Sequence, residues 1–378
     1  MKKLTILFAL LLSIVGAKAN DGVYYTSGNQ LIPITETEIS VKKEVLDITR
    51  QGQQIQVHVY YEFFNPGKEK TLLVGFEALP PSGVWDITEE DYKTLTEHPN
   101  IQGFTVTING QRVNYQVSHV ESGENYYNNG KFNELSKQRE LELGREMEFT
   151  EGLPYLFVYH FNATFKSGLN IVEHTYTFDE SIFVGAEYCF DYVLTAANRW
   201  ANNGIDDFTL NINMGDRESF SIKPTFFKSL DEWTINGVGR TSPGNSLTMD
   251  EPLFHIQKGG ITFHKKNFHP EGEIDITKMD VALVTMYGDT DREDVLNLVK
   301  LQYANWRTSG LEENNPMTKE DARIMRNLPF AYRGFVFKTK SLQQFFESTN
   351  WYVPNPDYVD KLEELPEKER EWVQFWSK

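Results

Sequence analysis

Residues 104–117 read FTVTINGQRVNYQV. Phe104, Val106 and Ile108 alternate with polar residues on one arm, and Val113, Tyr115 and Val117 do so on the other. Successive side chains of a strand point to opposite faces, so each arm is a half-buried strand. Between them stands Asn109-Gly110, a pair that accepts positive φ at both central positions of a type I′ turn. The stretch is an antiparallel hairpin.

The same alternation spreads outward. Residues 39–48 (ISVKKEVLDI) and 54–64 (QIQVHVYYEFF) precede it, and Asn65-Pro66-Gly67 closes the second with turn residues. Residues 71–77 (TLLVGFE) form a further strand, stopped by Pro80-Pro81-Ser82-Gly83. Downstream, residues 155–165, 170–178, 187–194 and 208–213 alternate. Shorter candidates follow at 220–226, 246–249, 253–257, 260–264 and 279–286. Many short strands with Asn, Gly and Pro punctuation predict an antiparallel β-sandwich platform over residues 20–286, as one sandwich or two. Residues 121–150 interrupt it with a polar loop and a charged, weakly helical segment. Glu140, Glu142 and Glu146 of that segment have no histidine at ligand spacing, so they read as a solvated helix face rather than a metal site.

The chain opens with Lys2 and Lys3, runs apolar from Leu4 to Val15 and reaches Ala17-Lys18-Ala19, the pattern of a cleavable secretory signal over residues 1–19. Its apolar run is short of the roughly 20 residues a membrane span needs. The expectation is an exported protein, periplasmic or extracellular, that does not span the membrane once cleaved. Loss of Lys2, Lys3 and Lys18 takes the formal charge from −17 to −20. So acidic a chain is a poor partner for nucleic acid or anionic lipid, and at 13% aromatic it is too rich in ring side chains for disorder. Cys189 is the single cysteine, which excludes an internal disulfide. Its place in an alternating strand makes it a core residue.

Beyond residue 287 the period changes. Thr290 and Glu293 form a capping box ahead of an apolar helical stripe from Val295 to Trp306, and residues 309–316 read as a linker. Thr318-Lys319-Glu320-Asp321 caps another helix carrying Ile324, Met325 and Leu328. Phe330-Ala331-Tyr332-Arg333-Gly334 ends that helix, with Gly334 placed for the left-handed conformation. Ser341 to Gln344 caps the next helix, Trp351-Tyr352 follows, and Leu365-Pro366 opens a last acidic helix. The organisation expected is a helix and linker over 287–315 and a small helical domain over 316–378.

Two parts of the chain resemble known families. Phe190 to Ile212 carries a Y-x-L-T…W…I-x-x-F-x-L-x-I pattern. With Asn20-Asp21-Gly22-Val23 and the F-x-N-P of residues 63–66, it resembles a family of secreted bacterial β-domains of unknown function, over residues 20–285. The resemblance implies a β-fold and export and no activity. Arg326-Asn327, the segment Phe330–Phe337, Leu342–Phe346 and Trp351–Pro354 resemble the YARHG domain, over residues 316–376. That resemblance implies a small helical domain of exported bacterial proteins with a role at the cell envelope. The signature departs here, with Tyr332 in place of its arginine and Arg333 in place of its histidine. A proton-transfer role for that histidine cannot operate through a guanidinium.

The residues that could carry recognition in this module are Arg326, Tyr332, Arg333, Trp351 and Tyr352. Planar rings stack on sugars or peptides, and guanidinium groups hold carboxylates, groups that peptidoglycan presents. The competing reading makes the same residues a small core with internal arginines. No H-E-x-x-H, G-x-S-x-G, P-loop or G-x-G-x-x-G stands in a suitable context, so no catalytic residue, cofactor or metal is expected. His255 and His264 could face each other across a hairpin at Gly259-Gly260, but a third ligand is not evident. The function expected is non-catalytic binding of a cell-envelope component, peptidoglycan or glycan, or of a protein partner. The alternative is a cell-wall hydrolase with a carboxylate pair in the cleft between the β and helical parts.

Overall fold

The computed structural model describes residues 27–29, 31–34, 37–78, 93–121, 126–128, 131–146, 155–180, 186–244, 251–279, 319–349 and 351–377. The secretory signal, the Thr290 helix with its linker, the 246–249 strand and the Thr318 cap lie outside these residues.

The strands, in chain order, begin with β1 (Ser27–Asn29), β2 (Leu31–Pro33), β3 (Ser40–Gln51), β4 (Gln54–Asn65), β5 (Lys70–Ala78) and β6 (Ile101–Ile108). Next come β7 (Gln111–Val113), β8 (Gln116–Glu121), β9 (Tyr127–Asn128), β10 (Lys131–Phe132), β11 (Tyr155–Phe165) and β12 (Gly168–Asp179). The last six are β13 (Ala186–Val193), β14 (Ile205–Asn213), β15 (Glu218–Ile222), β16 (Trp233–Ser242), β17 (Leu253–Phe268) and β18 (Ile274–Met279). Among the described residues the complete α-helices are α1 (Lys137–Glu146), α2 (Lys319–Tyr332), α3 (Lys340–Ser348) and α4 (Glu367–Phe375).

Among the described residues the fold is a β-sandwich followed by a helical part. One sheet runs β1-β13-β18-β15-β17-β14-β3-β4-β12-β6-β7, with β16 added along β17. The other runs β2-β5-β11-β8. Pairing is antiparallel except where β14 meets β3 and β1 meets β13, which run parallel. The alternation of residues 54–64 does what it predicts, since Val57, Val59, Tyr61 and Phe63 are buried while the residues between them reach the other face. Rings from the two sheets meet in the core: Phe76 of β5 lies 5.2 Å from Phe104 of β6 and 5.0 Å from Tyr176 of β12. A fully buried aromatic of this kind contributes about 1.5–3 kcal/mol, so this seam is a main source of sandwich stability. The Asn109-Gly110 turn is as the sequence demands, with φ of 51° and 76°.

Three expectations are corrected. Residues 253–257 and 260–264 are not two strands joined at Gly259-Gly260 but one strand, β17, and its hairpin partner is β16, which sequence alternation did not reveal. The glycines serve a close backbone crossing, where a Cβ on Gly259 would stand 2.0 Å from the Asn236 carbonyl. His255 and His264 therefore share one strand, nine residues or about 30 Å apart, and cannot share a metal. His255 bonds Ser219 and Ser242, and His264 bonds Asp207. Glu140 is not solvated: it is buried on the inward face of α1, accepting from His119 Nδ1 at 3.0 Å and Lys137 Nζ at 2.9 Å. Glu142 and Glu146 do face solvent. Finally, the N-cap of α3 is Thr339, which makes no side-chain cap bond, rather than Ser341, which lies inside the helix. Gln343 instead accepts from the Phe337 amide at 2.7 Å, fixing the turn before the helix.

Cys189 is buried, and burial first, then Asp191, pushes its thiol up to about 12. At that value it is inert.

Candidate functional site

The helical part has its own apolar core of Ile324, Met325, Leu328, Phe337, Leu342, Phe346, Trp351, Tyr352 and Trp372, separate from that of the sandwich. The helix α2 continues through Pro329 to Tyr332 and then stops on Gly334, at φ 81°. Gly334 donates to the Ala331 carbonyl at 2.8 Å and Phe335 to the Phe330 carbonyl at 3.0 Å, the paired closure of a Schellman motif.

Of the five residues singled out in this module, Arg333, Trp351 and Tyr352 serve mainly as its framework. Trp351 and Tyr352 are 6% and 1% exposed. The Tyr352 hydroxyl donates to the Phe335 carbonyl at 2.8 Å. Arg333 donates to Glu369 at 2.6 Å and to the Pro329 carbonyl at 2.9 Å. Arg326 is half-buried on α2. Tyr332 turns toward the platform: its hydroxyl donates to the Arg217 carbonyl at 2.8 Å, and its own carbonyl accepts from Gln257 Nε2 at 2.9 Å. Burial, and then Glu218, pushes its phenol up to about 12. Arg240 adds a third link, donating to the Thr349 carbonyl at 2.5 Å. The space enclosed at this seat is only about 10 Å³ and holds one lining carboxylate, Glu218, which Lys278 meets at 2.8 Å.

A larger concavity, of about 530 Å³, lies on the opposite face of the main sheet from the core, and its floor crosses β16, β17, β14, β3, β4 and β12. Its residues are the outward members of alternating strands. Ladder register sets Thr262 against Asn211, Asn211 against Asp47, Asp47 against His58, His58 against Thr175, and Thr175 against Thr105. These side chains are bonded almost in series. Asn236 Nδ2 donates to Thr262 Oγ1 at 2.6 Å, Thr262 Oγ1 to Asn211 Oδ1 at 2.6 Å, and Asn211 Nδ2 to Asp47 Oδ1 at 2.8 Å. His58 Nδ1 stands 3.3 Å from Asp47 Oδ2, and the hydroxyls of Thr105 and Thr175 are 2.7 Å apart. Thr49, Gln56 and Asn213 line the adjacent row.

Such a row holds hydroxyl, amide, carboxylate and imidazole groups at strand spacing, about 4.8 Å apart across the sheet. Each group is fixed by its neighbour, so little side-chain entropy is lost when a hydroxylated ligand is bonded. Sequence reasoning missed this site. The outward polar residues were legible strand by strand, but only the register brings them into line. Among the described residues no group of three or more His, Cys, Asp or Glu side chains could hold a metal ion. No described helix is long and apolar enough to cross a membrane.

Comparison with known families agrees with both resemblances. Residues 299–378 match the YARHG domain. Residues 19–125 match a domain of unknown function, DUF4424. The chain thus carries a YARHG domain after a β-domain. The YARHG match starts earlier than the signature residues alone indicate, whereas the N-terminal match is shorter than residues 20–285 and stops before the Phe190–Ile212 pattern. No curated protein matches the chain in sequence. Among solved structures, a Legionella pneumophila protein provisionally described as nutrient binding has 17% identity and a TM-score of 0.48, covering 95% of this chain and 99% of its own. A likeness that weak carries no argument about ligand.

Proposed function

We propose that this is an exported, non-catalytic protein of the bacterial cell envelope that binds a glycan component, such as peptidoglycan, in the polar groove of its β-platform. The observation that carries the reading is the hydrogen-bonded row from Asn236 to Asp47, a rigid array of the groups that recognise polyhydroxylated ligands. The signal-like N-terminus and the YARHG domain support export and residence at the envelope. In this reading residues 1–19 are removed, residues 20–286 form the binding platform and residues 316–378 form a helical domain docked beside it. Arg333, Trp351 and Tyr352 build that domain and Tyr332 seats it, while Arg326 is left to meet a ligand or partner.

Binding is favoured over hydrolysis because two-carboxylate glycoside hydrolysis needs a pair of carboxyl groups flanking the bond. Asp47 is the carboxylate lining the groove, and both its oxygens are engaged, one by Asn211 and one by His58. At the seat between platform and helical domain the lining carboxylate is Glu218, held by Lys278.

Co-sedimentation with purified peptidoglycan sacculi tests the reading. Wild-type protein is expected in the pellet and Asn211→Ala largely in the supernatant, with no soluble fragments released by either. Equal pelleting of the two proteins overturns the groove assignment, and release of soluble fragments overturns the non-catalytic one.

A further inference from the structure

The same outward face continues past the groove, and its character changes along the strands. On β4 the outward residues after His58 are Tyr60, Glu62 and Phe64, and on β12 those beyond Thr175 are Glu173, Ile171 and Leu169. Phe64, Ile171 and Leu169 are 39%, 37% and 55% exposed. They are three of the six exposed large hydrophobic residues among the described ones, and the other three lie on the helical domain. Ladder register sets Leu169 directly against Phe64, and Ile171 lies one step nearer the groove. Half-buried Tyr60 and Val45, also cross-strand partners, fill the interval to the groove floor. Val45, Tyr60, Ile171, Leu169 and Phe64 therefore lie on a diagonal apolar track leading out of the polar row, stepping from Tyr60 across to Ile171 because Glu62, which accepts from the Tyr60 hydroxyl at 3.1 Å, holds the β4 position opposite Ile171. From His58 to Phe64 it spans six residues, about 20 Å.

We infer that the ligand is amphipathic: a saccharide head seated in the polar row and a single acyl or alkyl chain laid along the Val45–Leu169 track. This inference rests on the groove reading above and narrows it to glycans carrying an apolar aglycone. A diagonal track of alternate side chains across β3, β4 and β12 is about one chain wide, and its start beside Asp47 and His58 gives the two parts of such a ligand one direct path. Charge argues against a lipid surface as the occupant. Glu62 and Glu173 beside the track are matched locally by Lys43 and by Lys42, whose Nζ lies 5.8 Å from the Phe64 ring centroid, but the chain carries −17 overall, so an anionic bilayer is repelled while an uncharged chain is not. Each methylene placed on the track adds binding free energy without needing a polar partner.

Methyl and octyl N-acetylglucosaminide, both below micellar concentration, serve as probes of the full chain by isothermal titration. The octyl glycoside is expected to bind at least tenfold more tightly than the methyl one. The double variant Phe64→Ser/Leu169→Ser should abolish that gain and leave methyl glycoside affinity unchanged. Both positions are exposed, so the variant should keep the wild-type thermal midpoint. Equal affinity for the two glycosides in the wild type, or a gain that survives in the double variant, overturns the apolar track alone. Failure of the wild type to bind either glycoside overturns the groove reading and this inference together.

Discussion

Arg333 Nη1 lies 2.6 Å from Glu369 Oε2, and the pair ties the end of α2 to α4. Both side chains are close to buried, at 11% and 12% exposure. This arginine stands where the YARHG signature has histidine, so the substitution places a permanent charge in an internal ion pair. Removing one member of such a pair strands the other charge away from water. Arg333→Ala should therefore destabilise the helical domain by about 3 kcal/mol in urea unfolding. The double variant Arg333→Met/Glu369→Leu should recover most of that loss. A single variant as stable as the wild type would show the pair to be dispensable.

Tyr332 joins the domain to the platform through the Arg217 carbonyl. One neutral hydrogen bond contributes about 1 kcal/mol net, so Tyr332→Phe should loosen the seat without unfolding either core. Hydrogen exchange read on residues 253–258 and 330–334 should rise severalfold in Tyr332→Phe, and further when Gln257→Ala is added. Exchange identical to the wild type in both variants would separate the two parts energetically.

Gly334 permits the left-handed closure of α2, and a Cβ there would stand 2.5 Å from the Val353 carbonyl. Left-handed backbone alone costs a non-glycine residue about 1–2 kcal/mol, and the contact adds to it. Gly334→Ala should lower the thermal midpoint of the helical domain by several degrees, leaving the sandwich transition in place. An unshifted midpoint would mean that the turn can be rebuilt.

His174 gives the sandwich an acid weakness. Burial, and then nearby His58, lowers its imidazole to about 3 from an ordinary 6.5. Between those values the unfolded chain binds a proton that the folded chain does not, so this group makes stability fall as pH drops from about 6.5 toward 3. Asp191 acts in the opposite sense. Burial and then Asp275 raise its carboxyl to about 7, so its contribution is full below the ordinary 3.8 and is lost as pH rises toward 7. Denaturant titrations should show a His174→Phe variant losing less stability than the wild type between pH 6.5 and 4. Parallel pH profiles would contradict the assignment of that loss to His174.

Much of the platform is legible in the residues because alternation is a local signal. Val57, Val59, Tyr61 and Phe63 announce a core face without knowledge of any partner. The helical domain is legible for a related reason, since Gly334 and the Trp351-Tyr352 pair have few conformational alternatives. The limits are equally physical. β16 contains Gly237 and Gly239 and alternates weakly, while Gly259-Gly260 imitates a turn, because close backbone crossing and chain reversal both select glycine. Glu140 reads as solvated in sequence and becomes a buried acceptor only because His119 of β8 lies beneath α1. The groove is non-local altogether: Asn236, Asn211, Asp47 and His58 come from four strands, and their alignment exists only in the register of the assembled sheet.

The glycan groove is tested most directly by isothermal titration of the protein with soluble, size-fractionated glycan strands released from peptidoglycan. Saturable binding by the wild type, weakened at least tenfold in Asn211→Ala at an unchanged thermal midpoint, is the result expected. No binding by the wild type, or equal affinity in Asn211→Ala, would contradict the assignment.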